Sequence, residues 1–109
     1  VEEGLEDRFG YAEQLARRFQ RDRAAGREEL FLWLRWLRDI LLIQQGQIGS
    51  IVNVSWRDTI QRHAAALTPA DTVRWLHLVT ESIEVLDRNA NPRLALDVMM
   101  LEAPTVRTP

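Results

Sequence analysis

Leu30-Phe31-Leu32-Trp33-Leu34-Arg35-Trp36-Leu37-Arg38-Asp39-Ile40-Leu41-Leu42-Ile43 is the stretch that decides the fold. Leu30, Leu34, Leu37 and Leu41 recur at three- and four-residue steps, which is the spacing of one face of an α-helix. Phe31, Trp33, Trp36, Ile40, Leu42 and Ile43 fill most of the remaining faces. A helix apolar nearly all round must be covered by neighbours rather than lie on a surface. Nor does it cross a membrane: that takes about 20 apolar residues, and Arg35, Arg38 and Asp39 interrupt the run. The stretch is therefore the central helix of an all-α domain, predicted to run from Arg27 to Gln45 and to stop at Gly46.

Upstream, Leu5, Phe9, Ala12, Leu15, Ala16 and Phe19 form one helical stripe, with Glu6, Glu13, Arg17 and Arg21 outside it. Gly26 is the only breaker between this first helix and the central one, and the pattern fits either a short turn or a kink in one long helix. Downstream, Gln47 to Val54 carries Gly49 and the β-branched Ile48, Ile51, Val52 and Val54. No partner strand exists elsewhere, so a loop with inward-pointing aliphatics is expected. Ser55 is the expected cap of a third helix, with Asp58 in capping-box spacing, and that helix ends near Ala66 or Leu67. Thr68-Pro69-Ala70-Asp71 is a strong helix start: a capping hydroxyl, proline at the first position and an acid in the first turn. The helix it opens is predicted to face inward with Val73, Leu76, Val79, Ile83 and Leu86, flanked by Trp75, Leu78, Ser82 and Val85. A last helix opens at Asn91-Pro92 and is apolar on most sides through Leu94, Ala95, Leu96, Val98, Met99, Met100 and Leu101. Pro104 ends it. Five helices, the central one included, are expected over residues 1–103, with 104–109 as a frayed tail.

At 109 residues, 46% of them hydrophobic, the chain is one globular domain rather than a disordered segment. A net charge of −2 argues against a dedicated nucleic-acid binder, which is usually strongly basic. With no cysteine there is no disulfide and no thiolate metal site, and the balance leans to the cytoplasm. The start lacks the basic and apolar regions of a signal peptide, and it lacks a methionine, which fits a domain cut from a longer protein. All fourteen basic residues are arginine, read here as a composition bias because no single site needs it.

Candidate chemistry is sparse. There is no phosphate-binding loop and no lysine to complete one. Ser50 and Ser55 have no histidine nearby in sequence, so no nucleophile constellation forms. No cofactor is expected. His77, Glu81 and Glu84 share one helix face with metal-ligand types, but a solvated polar stripe explains the same spacing and is preferred. His63 stands alone and is read as a surface residue. Arg17, Arg18, Arg21, Arg23 and Arg27 cluster at the end of the first helix and can meet phosphate, with Arg17 and Arg21 as the candidate DNA contacts. Asp22, Glu28 and Glu29 interleave with them, and local ion pairing is the preferred reading. Trp33, Trp36, Trp56 and Trp75 are mostly core, while one or two of them can anchor a protein interface. The apolar faces exceed what five short helices cover, and the excess is expected to form a subunit-contact surface.

Two segments carry a family resemblance. Trp33-Leu34-Arg35-Trp36-Leu37-Arg38-Asp39-Ile40-Leu41-Leu42 resembles the core helix, containing Trp-x-Arg-Asp-Leu-Leu-Leu, of the C-terminal domain of bacterial DNA polymerase III delta-prime subunits. Asn89-Ala90-Asn91-Pro92-Arg93-Leu94-Ala95-Leu96-Asp97 is similar to that domain's Asn-x-Asn-x-x-Leu-x-Leu-Glu signature, and the Ile51-Val52-Asn53 connector fits as well. The gamma/tau-type domain of the same machine shares the architecture with less of the second signature. The resemblance implies a collar domain of a clamp loader, a non-catalytic helical piece that packs with the collars of gamma/tau- and delta-type subunits. The AAA+ module with the ATP site would lie N-terminal and is absent from this sequence. It further implies structural roles for Trp33, Trp36, Arg38, Asp39, Asn91 and Leu94, with Arg38 and Asp39 tying the central helix to a neighbouring helix end and Asn91 capping. In isolation the domain is expected to self-associate through its unmet apolar surface. A stand-alone helical DNA-binding module using Arg17–Arg27 is the alternative.

Overall fold

The computed structural model describes residues 8–47, 49, 54–88 and 91–103. Among them are five α-helices: α1 (Arg8–Arg21), α2 (Arg23–Gln44), α3 (Arg57–Ala66), α4 (Pro69–Asp87) and α5 (Pro92–Glu102), with a short 3-10 turn (Val54–Trp56) leading into α3. No strand occurs among the described residues, in keeping with the all-α reading. Leu5, the Ile48 and Ile51-Val52-Asn53 portion of the connector, Ser50, the Asn89-Ala90 pair and the 104–109 tail lie outside the described residues.

The boundary between α1 and α2 falls elsewhere than predicted. It is Asp22, not Gly26, that separates the two helices. Asp22 adopts an extended backbone (φ −149°, ψ 97°), and its carboxylate accepts from the Ala25 amide at 3.1 Å. That bond satisfies one of the donors every helix start leaves open. Gly26 lies inside α2 and is buried. A Cβ built there would sit 2.6 Å from the Phe19 ring, so the missing side chain is what lets α1 fold back closely against α2. The other end of α2 matches the sequence to within a residue. Gly46 takes a positive φ of 76°, its amide donates to the Ile43 carbonyl at 3.0 Å, and the Gln47 amide reaches the Leu42 carbonyl at 2.8 Å. These two bonds are the helix-terminating glycine motif.

Helices α1, α2, α4 and α5 form a closed ring in which each packs on the next, while α3 packs on α2 from outside. Neighbours within the ring run antiparallel. In α1 and α2, Tyr11 meets Trp33 and Arg18 meets Glu29; in α2 and α4, Arg27 meets Asp87 and Gln44 meets Thr72. Near the start of α4, Arg74 donates to the Glu102 carbonyl at the end of α5. The central helix is thus flanked by α1, α3 and α4, as its all-round apolar character demands. Leu30, Trp33, Leu37 and Ile40 are fully buried. Trp33 is the pivot. It stacks on Trp75 of α4 (4.9 Å between centroids, 8° between planes), and its indole N–H donates to the Tyr11 hydroxyl of α1 at 2.8 Å.

Three further expectations are corrected. Ser55 does not cap α3. It lies in the 3-10 turn, so the chain enters the helix already coiled, without the extended residue a side-chain cap requires. The inward face of α4 is turned by about one residue at its start: Thr72 and Trp75 are buried there, and Val73 is exposed. The Trp33–Trp75 stack fixes that rotation, and the Thr72 hydroxyl donates to Gln44 Oε1 at 2.9 Å. His63 is buried rather than on the surface, because Ile60, His63, Ala64 and Leu67 form the stripe by which α3 sits on α2. Its Nδ1 accepts the Trp36 indole N–H at 3.0 Å.

Candidate functional site

The residues singled out by the sequence do not converge on one place. Trp33 and Trp36 are core, each with its indole N–H satisfied. Asp39 is fully buried, with the half-exposed Arg38 guanidinium 3.7 Å from its carboxylate. Asn91 caps α5 as expected, its side chain accepting from the Leu94 amide at 3.2 Å. Leu94 itself holds no core: it is 66% exposed.

His77, Glu81 and Glu84 are all exposed on α4, and among the described residues no three His, Asp or Glu side chains come together as a metal set. Ser82 donates its hydroxyl to the Leu78 carbonyl in its own helix at 2.7 Å. Tyr11 has a strongly shifted proton affinity. Burial pushes its phenol well above the ordinary tyrosine range, against the opposing pull of the Trp33 N–H. A phenol held neutral in a core is a structural group, not a nucleophile.

The arginine cluster is taken up locally. Arg17 pairs with Glu13 at 2.8 Å and Arg18 with Glu29 at 3.1 Å. Arg27 grips the Asp87 carboxylate through Nε and Nη2 (3.0 and 3.2 Å) and lies over the Phe31 ring. Arg23 donates to the Leu86 carbonyl. These contacts fasten the start of α2 to α1 and to the end of α4. Of the two candidate DNA contacts, Arg17 is paired, and Arg21 is exposed with no ion pair among the described residues.

What stands out on the surface is apolar. Leu94, Val98 and Leu101, at i, i+4 and i+7 of α5, are 66%, 44% and 69% exposed. They form a ridge along the outer face of the helix, with a groove on either side. Towards α4 the groove is floored by Leu78, Ala95 and Met99 and walled by Val85. Towards α1 it is lined by Gly10, Glu13, Arg93 and Asp97. The α4 groove, at about 290 Å³, is at the lower end of the roughly 300–1,000 Å³ typical of small-molecule pockets, and it is a shallow contact surface by shape. Elsewhere among the described residues, Leu32 and Val73 are exposed singly, which is ordinary for a protein surface. Trp56, 53% exposed, leans on Trp36 with centroids 6.0 Å apart.

Sequence reasoning missed which side of α5 faces outward. The signal was present in the excess of apolar residues on that helix, but choosing the free side needs the positions of α1 and α4. Comparison with known proteins adds one finding: the family model described as DNA polymerase III, delta subunit, C terminal, matches residues 10–104, from the first turn of α1 to just past α5. No curated protein and no solved structure matches the chain.

Proposed function

The chain belongs to the family of C-terminal domains of DNA polymerase III delta subunits, and on that premise we propose that it is a non-catalytic collar domain of the delta-prime type. Its work is assembly: it packs against the collar domains of gamma/tau- and delta-type subunits and so holds a clamp loader together. The observation that carries this reading is the α5 ridge of Leu94, Val98 and Leu101, the exposed apolar stripe among the described residues. Covering side chains of this size is worth roughly 1.5–3 kcal/mol each when complete, enough to drive association. The delta-prime assignment rests on the Trp36-x-Arg38-Asp39 and Asn89-x-Asn91 motifs. A cytoplasmic location goes with a role in replication, and no helix among the described residues is long and apolar enough to cross a membrane.

The test is co-expression of this chain with the collar domains of gamma/tau- and delta-type subunits from the same organism, followed by the mass of any complex. A stoichiometric complex is expected. Failure to bind any of them, with the helical fold intact by circular dichroism, contradicts the proposal. The DNA-binding alternative gains nothing from the arginine geometry. It predicts an affinity falling steeply with salt, and the paired Arg17, Arg18 and Arg27 leave few charges to produce that slope.

A further inference from the structure

We propose that the groove between α4 and α5 seats a helix of a neighbouring subunit whose apolar stripe is flanked by arginine or lysine. This rests on the collar reading and adds the chemistry of the partner. The floor and walls of the groove are apolar, so the segment that fills it must present aliphatic or aromatic side chains. Two antiparallel helices form its sides, and a third helix lying along them packs its ridge into the valley at an ordinary interaxial distance of about 8–10 Å.

Charge specifies the flanks. The groove is edged by Glu81 and Glu102, and no basic residue lines it. Glu84 stands one turn further along α4, also exposed. Neither Glu81 nor Glu102 makes an ion pair among the described residues, whereas Glu13, Glu29, Asp87 and Asp97 all do. The contrast with the groove on the other side of α5 is direct. There Arg93 lies 3.0 Å from Asp97 and 3.8 Å from Glu13, so its carboxylates are already answered. The α4 side is left with the Glu81 and Glu102 carboxylates, neither ion-paired among the described residues although Arg74 donates to the Glu102 carbonyl, around an apolar floor, and a basic-flanked amphipathic helix complements them.

A second copy of this chain does not supply that complement. Among the described residues its only exposed apolar stripe is the α5 ridge itself, whose flanks carry Asp97 and Glu102 and one basic residue, Arg93, which already pairs with Asp97 and Glu13. Its exposed arginines on α2 accompany only the single exposed aliphatic Leu32. Docking copy on copy through these faces would set carboxylate against carboxylate, and like charges placed together disfavour the contact.

The experiment measures the affinity of this chain for the collar domains of gamma/tau- and delta-type subunits, at low and at high salt, for four forms. These are the unaltered chain, Val98→Asp, the double variant Glu81→Lys with Glu102→Lys, and Leu32→Asp on the far face. Val98→Asp is expected to weaken binding by about 30-fold or more, as for an interface hot spot. The double lysine variant is expected to weaken it at low salt and to abolish the salt dependence seen for the unaltered chain. Leu32→Asp is expected to bind as the unaltered chain does. A complex insensitive to both Val98→Asp and the lysine pair overturns the groove proposal and leaves the collar reading standing. Loss with Val98→Asp but equal or tighter binding with the lysine pair overturns the basic-flanked partner. A self-associated chain that Val98→Asp returns to monomer identifies a second copy as the occupant and overturns the proposal too. No complex at all with the unaltered chain contradicts the collar reading itself.

Discussion

Trp36 donates to His63 Nδ1 across the α2–α3 contact at 3.0 Å, with both rings buried, so no water stands ready to replace the acceptor. His63→Leu leaves the Trp36 indole N–H without that partner in the core, and chemical denaturation should show a loss of about 1–3 kcal/mol. Gly26 gives a second residue-level outcome. Alanine gains about 1 kcal/mol of helix propensity, but its methyl meets the buried Phe19 ring at 2.6 Å, and such overpacking costs about 1–3 kcal/mol. Gly26→Ala should be destabilising on balance, and Phe19→Leu in the same chain should recover part of the loss, as a double-mutant cycle would read. Neither residue announced its role. A lone histidine and a lone glycine are read from their neighbours in sequence, and what they touch comes from other helices.

Helix starts divide into those the sequence specifies locally and those it does not. Thr68-Pro69-Ala70-Asp71 forms the full reciprocal cap, with the Asp71 amide donating to the Thr68 hydroxyl at 3.0 Å and the Thr68 amide to the Asp71 carboxylate at 3.4 Å. Asn91 caps α5 in one direction, its side chain accepting from the Leu94 amide, with Pro92 at the first helical position. Both were legible because every partner lies within three residues. The α1–α2 break was misplaced because a capping aspartate inside a run of charged residues looks like surface, while the glycine nearby looks like a stop. Ser55 had the right residue type without the extended backbone that capping needs. The two cases make opposite predictions. Asp22→Ala should lower stability by about 1 kcal/mol, whereas Ser55→Ala should change it by less than about 0.5 kcal/mol, both read from denaturation midpoints. The face of α4 was off by a residue for a different reason. Its apolar residues occupy more than one side, and the choice between them was made by Trp33 of α2, some forty positions earlier in the chain.

Across the whole molecule, the exposed apolar stripe among the described residues runs along the outer side of α5. The central helix and its burial could be read from Leu30–Ile43, because a stretch apolar on all faces admits only one place in a fold. The surplus of apolar surface could be counted from sequence too. Its location could not, since Leu94, Val98 and Leu101 look no different in sequence from the buried Leu96, Met99 and Met100. A substitution on the ridge should therefore separate folding from assembly. Val98→Asp should leave the thermal midpoint of the free chain nearly unchanged, because the side chain is already 44% exposed, while it removes binding to neighbouring collars. The chain has no cysteine, so a single introduced thiol reports on one site alone. The most direct measurement is the rate at which a thiol reagent labels Leu101→Cys, on the α5 ridge, and Arg21→Cys, on the arginine corner, in the free chain and after mixing with the collar domains of gamma/tau- and delta-type subunits. Both should label readily in the free chain, and mixing should shield position 101 while leaving position 21 open. Shielding at position 21 with position 101 still reactive would contradict an assembly surface on α5.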